Sequence, residues 1–260
     1  MIEKVIKFKL FGKFAHFRKF YTNASSLSYL LPPRTVILGL IASILEYKRD
    51  SYYEILNNDF CKISVNINQN CLINRSMQTL NYIASDYYSV LGNGGNKAKS
   101  MHTQCQLELL IGNSRIEYIV YIGFRENNEI VSEFESRLKN KNFGFGIYLG
   151  QKQFRGFLED IEFIEDVKFL EKTNFLDTII DEGNVENLNF DENSDILSEQ
   201  MPVEMAKEFE IKKTKKEEIK IENGRRTIEI KKYIFEKNGN RINGKFKNCY
   251  EVKDKIISFY

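Results

Sequence analysis

Ten residues, Val36 to Leu45, are apolar around almost a full helical circumference and come shortly after Pro32-Pro33. Paired prolines cannot lie inside a helix and force an extended entry, with Thr35 placed to cap the helix beyond them. A helix with no polar face cannot rest on water, so this one must be covered by a sheet. It is also far short of the roughly 18 uncharged apolar residues that a membrane-spanning helix needs. Gly39, mid-helix, costs about 1 kcal/mol against alanine and reads as a place of close backbone approach.

The covering sheet is legible in the alternation around this helix. Val5 to Phe11 alternates apolar and basic, with Ile6, Phe8 and Leu10 toward a core, and Gly12 ends the run. Cys61 to Asn68 alternates again, with Ile63, Val65 and Ile67 inward. Residues 69–103 form a long hairpin-like excursion whose tip, Gly92-Asn93-Gly94-Gly95-Asn96, is followed by Lys97 and Lys99. Gln104–Ile111 and Arg115–Phe124 read as two strands joined at Gly112-Asn113-Ser114, where Asn113 suits a positive φ. Glu129–Asn140 has Ile130, Phe134 and Leu138 at helical spacing. Gly144, Gly146 and Gly150 punctuate an aromatic loop before a strand over Phe157–Phe163.

This order is a βαββαβ plan with an insertion. It predicts an α+β chain with a ferredoxin-like (RRM-like) domain over residues 1–165. Residues 166–260 read as an acidic connection and a small β-rich C-terminal domain. Within them, 171–200 is Asn-rich and acidic, a surface connection with short helical pieces, and Pro202 marks a restart. Glu217–Ile221, Thr227–Phe235 and Lys255–Phe259 read as short strands, with Asn223-Gly224 as a hairpin turn.

Composition excludes several classes. Of 260 residues, 42% are hydrophobic and 28% charged, which rules out a disordered tail, a collagen and a membrane-helix bundle. A chain of this length buries about 70–75% of its unfolded surface and needs no metal or disulfide to fold. Cys61, Cys71, Cys105 and Cys249 show no C-x-x-C spacing, and His16 and His102 are the two histidines. The thiols are expected to be reduced and mostly buried. The N-terminus carries no secretory apolar run, so a cytoplasmic location is expected.

Charge is unevenly spread over a chain whose net charge is only +2. Residues 1–150 carry 18 Lys/Arg against 12 Asp/Glu, whereas 159–200 holds 14 acids and two lysines. Residues 207–247 turn basic again, with 14 Lys/Arg against 7 Glu. A polyanion would prefer the first half. The two later segments, opposite in sign, are expected to lie against each other or against a partner.

Three constellations could carry chemistry. Phe14-x-His16-Phe17-Arg18-Lys19 interleaves stacking faces with a phosphate fork and a point charge, the composition of a single-strand RNA or DNA site. The plainer alternative is core phenylalanines beside solvated cations. Ser28-Tyr29 through Arg34-Thr35 leads into a helix N-terminus, where free N–H groups favour an anion; the alternative is a rigid turn with a cap. The excursion is bounded by Arg75 and by His102-Thr103-Gln104. His102 has no acid beside it to orient its ring, which favours polar base contact over acid–base catalysis. The tip Gly92–Lys97 lacks phosphate-loop spacing, and Glu133 and Glu135 do not face each other on a helix.

At these residues the chain resembles a known family. Phe11-Gly12-Lys13-Phe14-Ala15-His16-Phe17-Arg18, then Ser28-Tyr29 with Pro32-Pro33-Arg34-Thr35-x-x-x-Gly39, is similar to the N-terminal signature of the fifth CRISPR-associated protein family. That family lies within the repeat-associated mysterious protein superfamily, and the likeness is greatest to its type I-B branch. Arg75-x-x-Gln78-x-Leu80-Asn81-Tyr82, His102-x-Gln104, Glu108-Leu109-Leu110, Phe145-Gly146-Ile147-Tyr148-Leu149-Gly150 with Phe154, Met201-Pro202 and Ile257-Ser258-Phe259-Tyr260 continue the likeness.

The resemblance implies a ferredoxin-like domain, a long thumb hairpin over about 69–103, and a small C-terminal domain. It implies a non-catalytic subunit of a type I Cascade complex that holds the 5′ handle of CRISPR RNA in antiviral defence. Such a subunit caps the filament of backbone subunits and touches the large subunit, meeting target DNA only indirectly, with no membrane, metal or cofactor. Joined to the constellations above, it makes Phe14, His16, Arg18, Lys19, Tyr29, Arg34, Thr35, Arg75, Gln78, Lys97, Lys99, His102 and Gln104 the expected RNA-binding residues.

The type I-C branch is instead a metal-independent endoribonuclease with a tyrosine after the first helix and a lysine–histidine pair. Here Leu45 stands where that tyrosine aligns, Tyr47 lies just past it, and Lys99 and His102 are three apart. The departure favours a non-cutting subunit. The alternative is an endoribonuclease using His102 with Lys99 or Tyr47, and a third reading is a protein-interaction module with an incidental basic face.

Overall fold

The computed structural model describes residues 2–22, 26–69, 71–83, 102–190, 194–213 and 219–260. Its central strand is β1 (Lys4–Ala15), where Ile6, Phe8 and Leu10 are buried as their alternation requires. Two short strands come next, β2 (Phe17–Arg18) and β3 (Ser28–Tyr29), paired with each other. Then come α1 (Arg34–Ile44), β4 (Cys61–Ile67), β5 (Ile73–Ile83), β6 (His102–Phe124), α2 (Glu129–Lys139) and β7 (Gly156–Ile164). The main sheet runs β4-β6-β1-β7, with β5 on the first part of β6, and all its pairs are antiparallel.

Helices α1 and α2 lie against this sheet. Ile37 and Ile41 of α1 and Phe134 and Leu138 of α2 share one core with Phe8, Val65 and Val120. The all-round apolar character of α1 is thereby satisfied. Its start is set differently from expectation. Pro33 occupies the cap position and no side chain caps the helix, so Thr35 lies inside the first turn. In α2, Asn128 accepts the Ile130 and Val131 N–H groups, the usual reason asparagine begins a helix.

The expected turn at Gly112-Asn113-Ser114 is not a turn. β6 runs unbroken for 23 residues. Its register on β1 jumps from Gly12↔Ile116 to Phe14↔Ile111, so 112–115 bulge out of the ladder. Asn113 does not take a positive φ. The bulge falls where β6 passes from its β5 pairing to its β4 pairing, with β1 along its other edge on both sides, and the chain never reverses.

The second half is richer in strands than expected. It contains β8 (Val167–Leu176), β9 (Ile180–Asp181), a 3-10 turn (Glu182–Asn184), β10 (Val185–Asn189), β11 (Ile196–Lys213), β12 (Ile219–Glu236), β13 (Ile242–Val252) and β14 (Lys255–Ile257). The acidic stretch 171–200 is thus mostly strand. Glu171, Glu182, Glu186 and Asp195 are exposed and Asp177 is buried, while Phe175 and Leu176 pack inward with Phe246 and Cys249. Asn223-Gly224 lies inside β12, opposite Phe209 and Glu208. The segment between β11 and β12, residues 214–218, lies outside the described residues. Pro202, which has no N–H to give, sits beside the register shifts of this ladder.

The opposite charges of the two later segments do meet. Arg241 pairs with Asp177 at 3.0 Å, Lys231 with Asp181 at 3.2 Å and Lys247 with Glu186 at 2.9 Å. The main core also takes in Ile179, Met201, Val203, Tyr233, Phe235 and Tyr260, so both halves contribute to it. No helix among the described residues is long and apolar enough to cross a membrane.

Candidate nucleic-acid interface

The segment after β1 packs one residue inward and offers the next outward. His16 is buried. Its Nδ1 lies 2.8 Å from the Glu108 carbonyl and its Nε2 2.9 Å from Ser26 Oγ. Burial pulls the imidazole pKa down, outweighing the hydrogen bond to Glu108. His16 is therefore a neutral bracket between β6 and the loop before β3, and its expected RNA contact is corrected to a structural role. Tyr29 is likewise buried, with Lys19 Nζ 5.5 Å from its ring centre. It has no face to offer a base. Phe14 is half-buried under Lys13.

What the segment does expose is Arg18, Phe20 and Tyr21. Arg18 donates to the Thr22 carbonyl at 2.9 Å, which ties the guanidinium to its own turn. Phe20 and Tyr21 meet edge to face at 5.2 Å and are 41% and 54% exposed. These two rings are the exposed aromatic faces of this segment, whereas Phe14 is half-buried and Tyr29 fully buried. The aromatic density of Lys13–Tyr21 pointed at them, but alternation alone did not say which rings face out.

Lys19 and Arg75 converge on one carboxylate. Glu199 of β11, whose side chain is 9% exposed, takes Lys19 Nζ at 3.0 Å and Arg75 Nη2 at 2.9 Å on the same oxygen. Its other oxygen accepts the Leu30 N–H at 3.2 Å. Together with Tyr21 and Gln200 these residues line a shallow cleft at the root of the β5/β6 hairpin. The hairpin ladder continues without a register shift from Ile73↔Gly112 to Ile83↔His102. By the strand's period of two, Arg75 and the Asn81↔Gln104 pair share one face, and Gln78 lies on the other, bonded to Ser76 at 2.9 Å. Gln104 is exposed. Lys97 and Lys99 lie outside the described residues, and of His102 only the backbone position is described.

Arg34 is the clearest correction. It is 1% exposed, and its guanidinium donates to the carbonyls of Val203 (3.1 Å), Leu56 (3.2 Å) and Cys61 (2.8 Å). It clamps the start of α1 to β4 and β11 and cannot reach a phosphate. Thr35, beside it, is half-buried and borders two clefts.

One of these clefts was not anticipated. It measures about 690 Å³ and lies between α1, the segment after it, the glycine loop 144–150 and β12. Tyr47, Tyr52, Tyr53, Phe145 and Tyr148 stand around it, with Arg49, Lys152 and Arg225 among them. The glycines take φ values of +51° at Gly144, +99° at Gly146 and +92° at Gly150. A Cβ at Gly150 would strike the His16 carbonyl oxygen, so the loop can lie against the end of β1 only as glycine.

The sequence model of a family described as CRISPR-associated protein (Cas_Cas5) matches residues 5–227. No curated protein matches the chain. Among solved structures, a CRISPR protein from Archaeoglobus fulgidus is 12% identical, with a TM-score of 0.56 over 98% of both chains, and shares the fold. A chain described as a CRISPR RNA-guided surveillance complex is also 12% identical, with a TM-score of 0.45 over 89% of this chain and 90% of that one. The match over residues 5–227 places this chain in the CRISPR-associated protein (Cas_Cas5) family.

Proposed function

We propose that the chain is a non-catalytic RNA-binding subunit of a type I Cascade complex. In this reading it holds the 5′ handle of CRISPR RNA and caps the filament of backbone subunits. The observation that carries the reading is the meeting of Lys19, Tyr21 and Arg75 at the root of the β5/β6 hairpin, with Arg18 and Phe20 exposed in the same turn. Cations beside exposed rings suit single-stranded RNA, whose phosphates and open bases are both accessible.

The rest of the reading comes from the family. The order β4-β6-β1-β7, with α1 and α2 as its two crossovers, supports a ferredoxin-like arrangement over 1–165. The β5/β6 pair serves as the thumb. Residues 166–260 form the small β-rich part that faces the large subunit. The protein works in the cytoplasm without a cofactor, and a separate nuclease supplies the RNA.

Fluorescence anisotropy of a labelled single-stranded RNA tests the reading. Arg18→Glu and Arg75→Glu each weaken binding and flatten its salt dependence, by about 0.7 in log–log slope for each phosphate no longer neutralised. An unchanged slope in both variants removes these residues from the interface.

A further inference from the structure

We infer that Glu199 is a latch between the two halves of the chain, and that a phosphate oxyanion seated on Lys19 and Arg75 opens it. The inference rests on the RNA-binding reading for the source of that phosphate. It adds a consequence of binding: the root of the β5/β6 pair comes loose from β11.

One carboxylate fastens three segments. Lys19 belongs to the loop after β1, Arg75 to β5 and Leu30 to the stretch before α1, and all three bond to Glu199. Glu199 itself is fixed from below, because β11 pairs it with Tyr233, which is buried in the main core. The β5/β6 pair needs such a fastening. β1 accompanies β6 only as far as Ala15↔Leu110. Beyond that point Ser26 takes over the edge, donating its N–H to the Gln106 carbonyl at 3.2 Å and accepting the Glu108 N–H at 2.9 Å. Ser26 follows Lys19 in the same loop. The loop thus holds β6 at Ser26 and is itself held, together with β5, at Glu199.

The arrangement cannot give up its cations and stay as it is. Lys19 Nζ and Arg75 Nη2 share one oxygen of Glu199, at 3.0 and 2.9 Å. A phosphate that draws both toward itself removes both of that oxygen's partners at once. Glu199, its side chain 9% exposed, is then a largely buried charge with a single N–H beside it, a state too costly to persist. The carboxylate turns out to water through the cleft that it lines with Lys19, Tyr21, Arg75 and Gln200. The Leu30 N–H, 3.2 Å from its other oxygen, loses its acceptor in the same step. The tie between the β5/β6 pair and β11 is then gone, and the second half no longer fixes the angle at which the pair leaves the sheet. Binding and opening are reciprocal, so a chain held open also holds phosphate more tightly.

Amide hydrogen exchange at Leu30 reads the latch. Leu30 is 2% exposed, so an anion in the cleft cannot shield its N–H directly. Glu199→Ala is expected to speed this exchange about tenfold, the weight of one hydrogen bond to a charged group, while residues 61–67 of β4 stay unchanged. Glu199→Gln, which keeps an oxygen for Leu30, should fall between. A short single-stranded RNA added to wild type should speed Leu30 as well. So should inorganic tripolyphosphate, which carries the charge without bases, and neither should move Glu199→Ala further. A rise in Glu199→Ala that extends equally over 61–67 would make Glu199 a support of the whole fold and overturn the inference. Leu30 exchange unmoved by both RNA and tripolyphosphate would also overturn it, and RNA anisotropy on the same samples would show whether the RNA-binding reading survives. Tripolyphosphate that speeds Leu30 in a protein to which no single-stranded RNA binds would keep the latch and defeat that reading.

Discussion

The ammonium of Lys19 lies 3.0 Å from a carboxylate oxygen of Glu199, a residue 180 positions further along the chain. The same oxygen holds Arg75. Two cations expected to meet phosphate are thus neutralised in part by a carboxylate that is itself largely buried. An incoming phosphate must compete with Glu199 for both. Glu199→Gln therefore strengthens binding of single-stranded RNA several-fold and steepens its salt dependence. Weaker binding by a folded Glu199→Gln protein would mean that the carboxylate positions the cations and does not compete for them.

Arg34→Met should cost stability and not RNA contacts. Three carbonyls lose their donor, and each buried unpaired group costs about 1–3 kcal/mol. Chemical denaturation should show a total loss of several kcal/mol, near the 3–5 kcal/mol typical of breaking a buried charged network. A loss under about 1 kcal/mol would contradict the clamp.

Acid weakens the fold through His16. Its folded pKa lies below the ordinary value of 6.5, so the unfolded chain takes up the proton first. Stability is full above pH 6.5 and falls as pH drops through that value toward the folded pKa. Urea midpoints measured at pH 7.5 and pH 5 should separate more for wild type than for His16→Gln. Equal separations would mean that His16 does not carry this dependence.

Alkali acts through the buried thiols. Burial pushes Cys61 and Cys249 up to about 12. The unfolded thiols ionise near 8.5, so stability falls as pH rises above that value, and a Cys61→Ala, Cys249→Ala double variant should show a shallower decline between pH 8 and pH 10. The same slope in both proteins would contradict it.

The purified chain should leave repeat RNA uncut in EDTA. Metal-independent cleavage that disappears in His102→Ala would instead install the endoribonuclease alternative.

The sequence showed the first half of the fold well because its signals are local. The alternation at Ile6, Phe8 and Leu10, the encircling apolar surface of α1 and the spacing of Phe134 and Leu138 each come from one element's own geometry. The bulge at 112–115 escaped because Gly-Asn-Ser suits a turn and a bulge equally. What separates them is whether one strand has two partners, a non-local fact. Asn223-Gly224 misled for the same reason, since the continuous pairing of β12 with β11 overrides a local turn preference. The site was legible in residue type and not in facing. Arg18, Lys19 and Arg75 are exposed or half-exposed, whereas His16, Tyr29 and Arg34 are spent on the core. The cleft at Tyr52, Phe145 and Arg225 could not be read, because these residues are 80 to 173 positions apart along the chain and no local pattern joins them.

The central claim is tested most directly by a native pull-down of this chain, with sequencing of the 5′ ends of the RNA that copurifies. The account predicts a uniform, repeat-derived 5′ end together with several partner proteins. Heterogeneous RNA or none, without partners, would contradict it and favour a protein-interaction module with an incidental basic face.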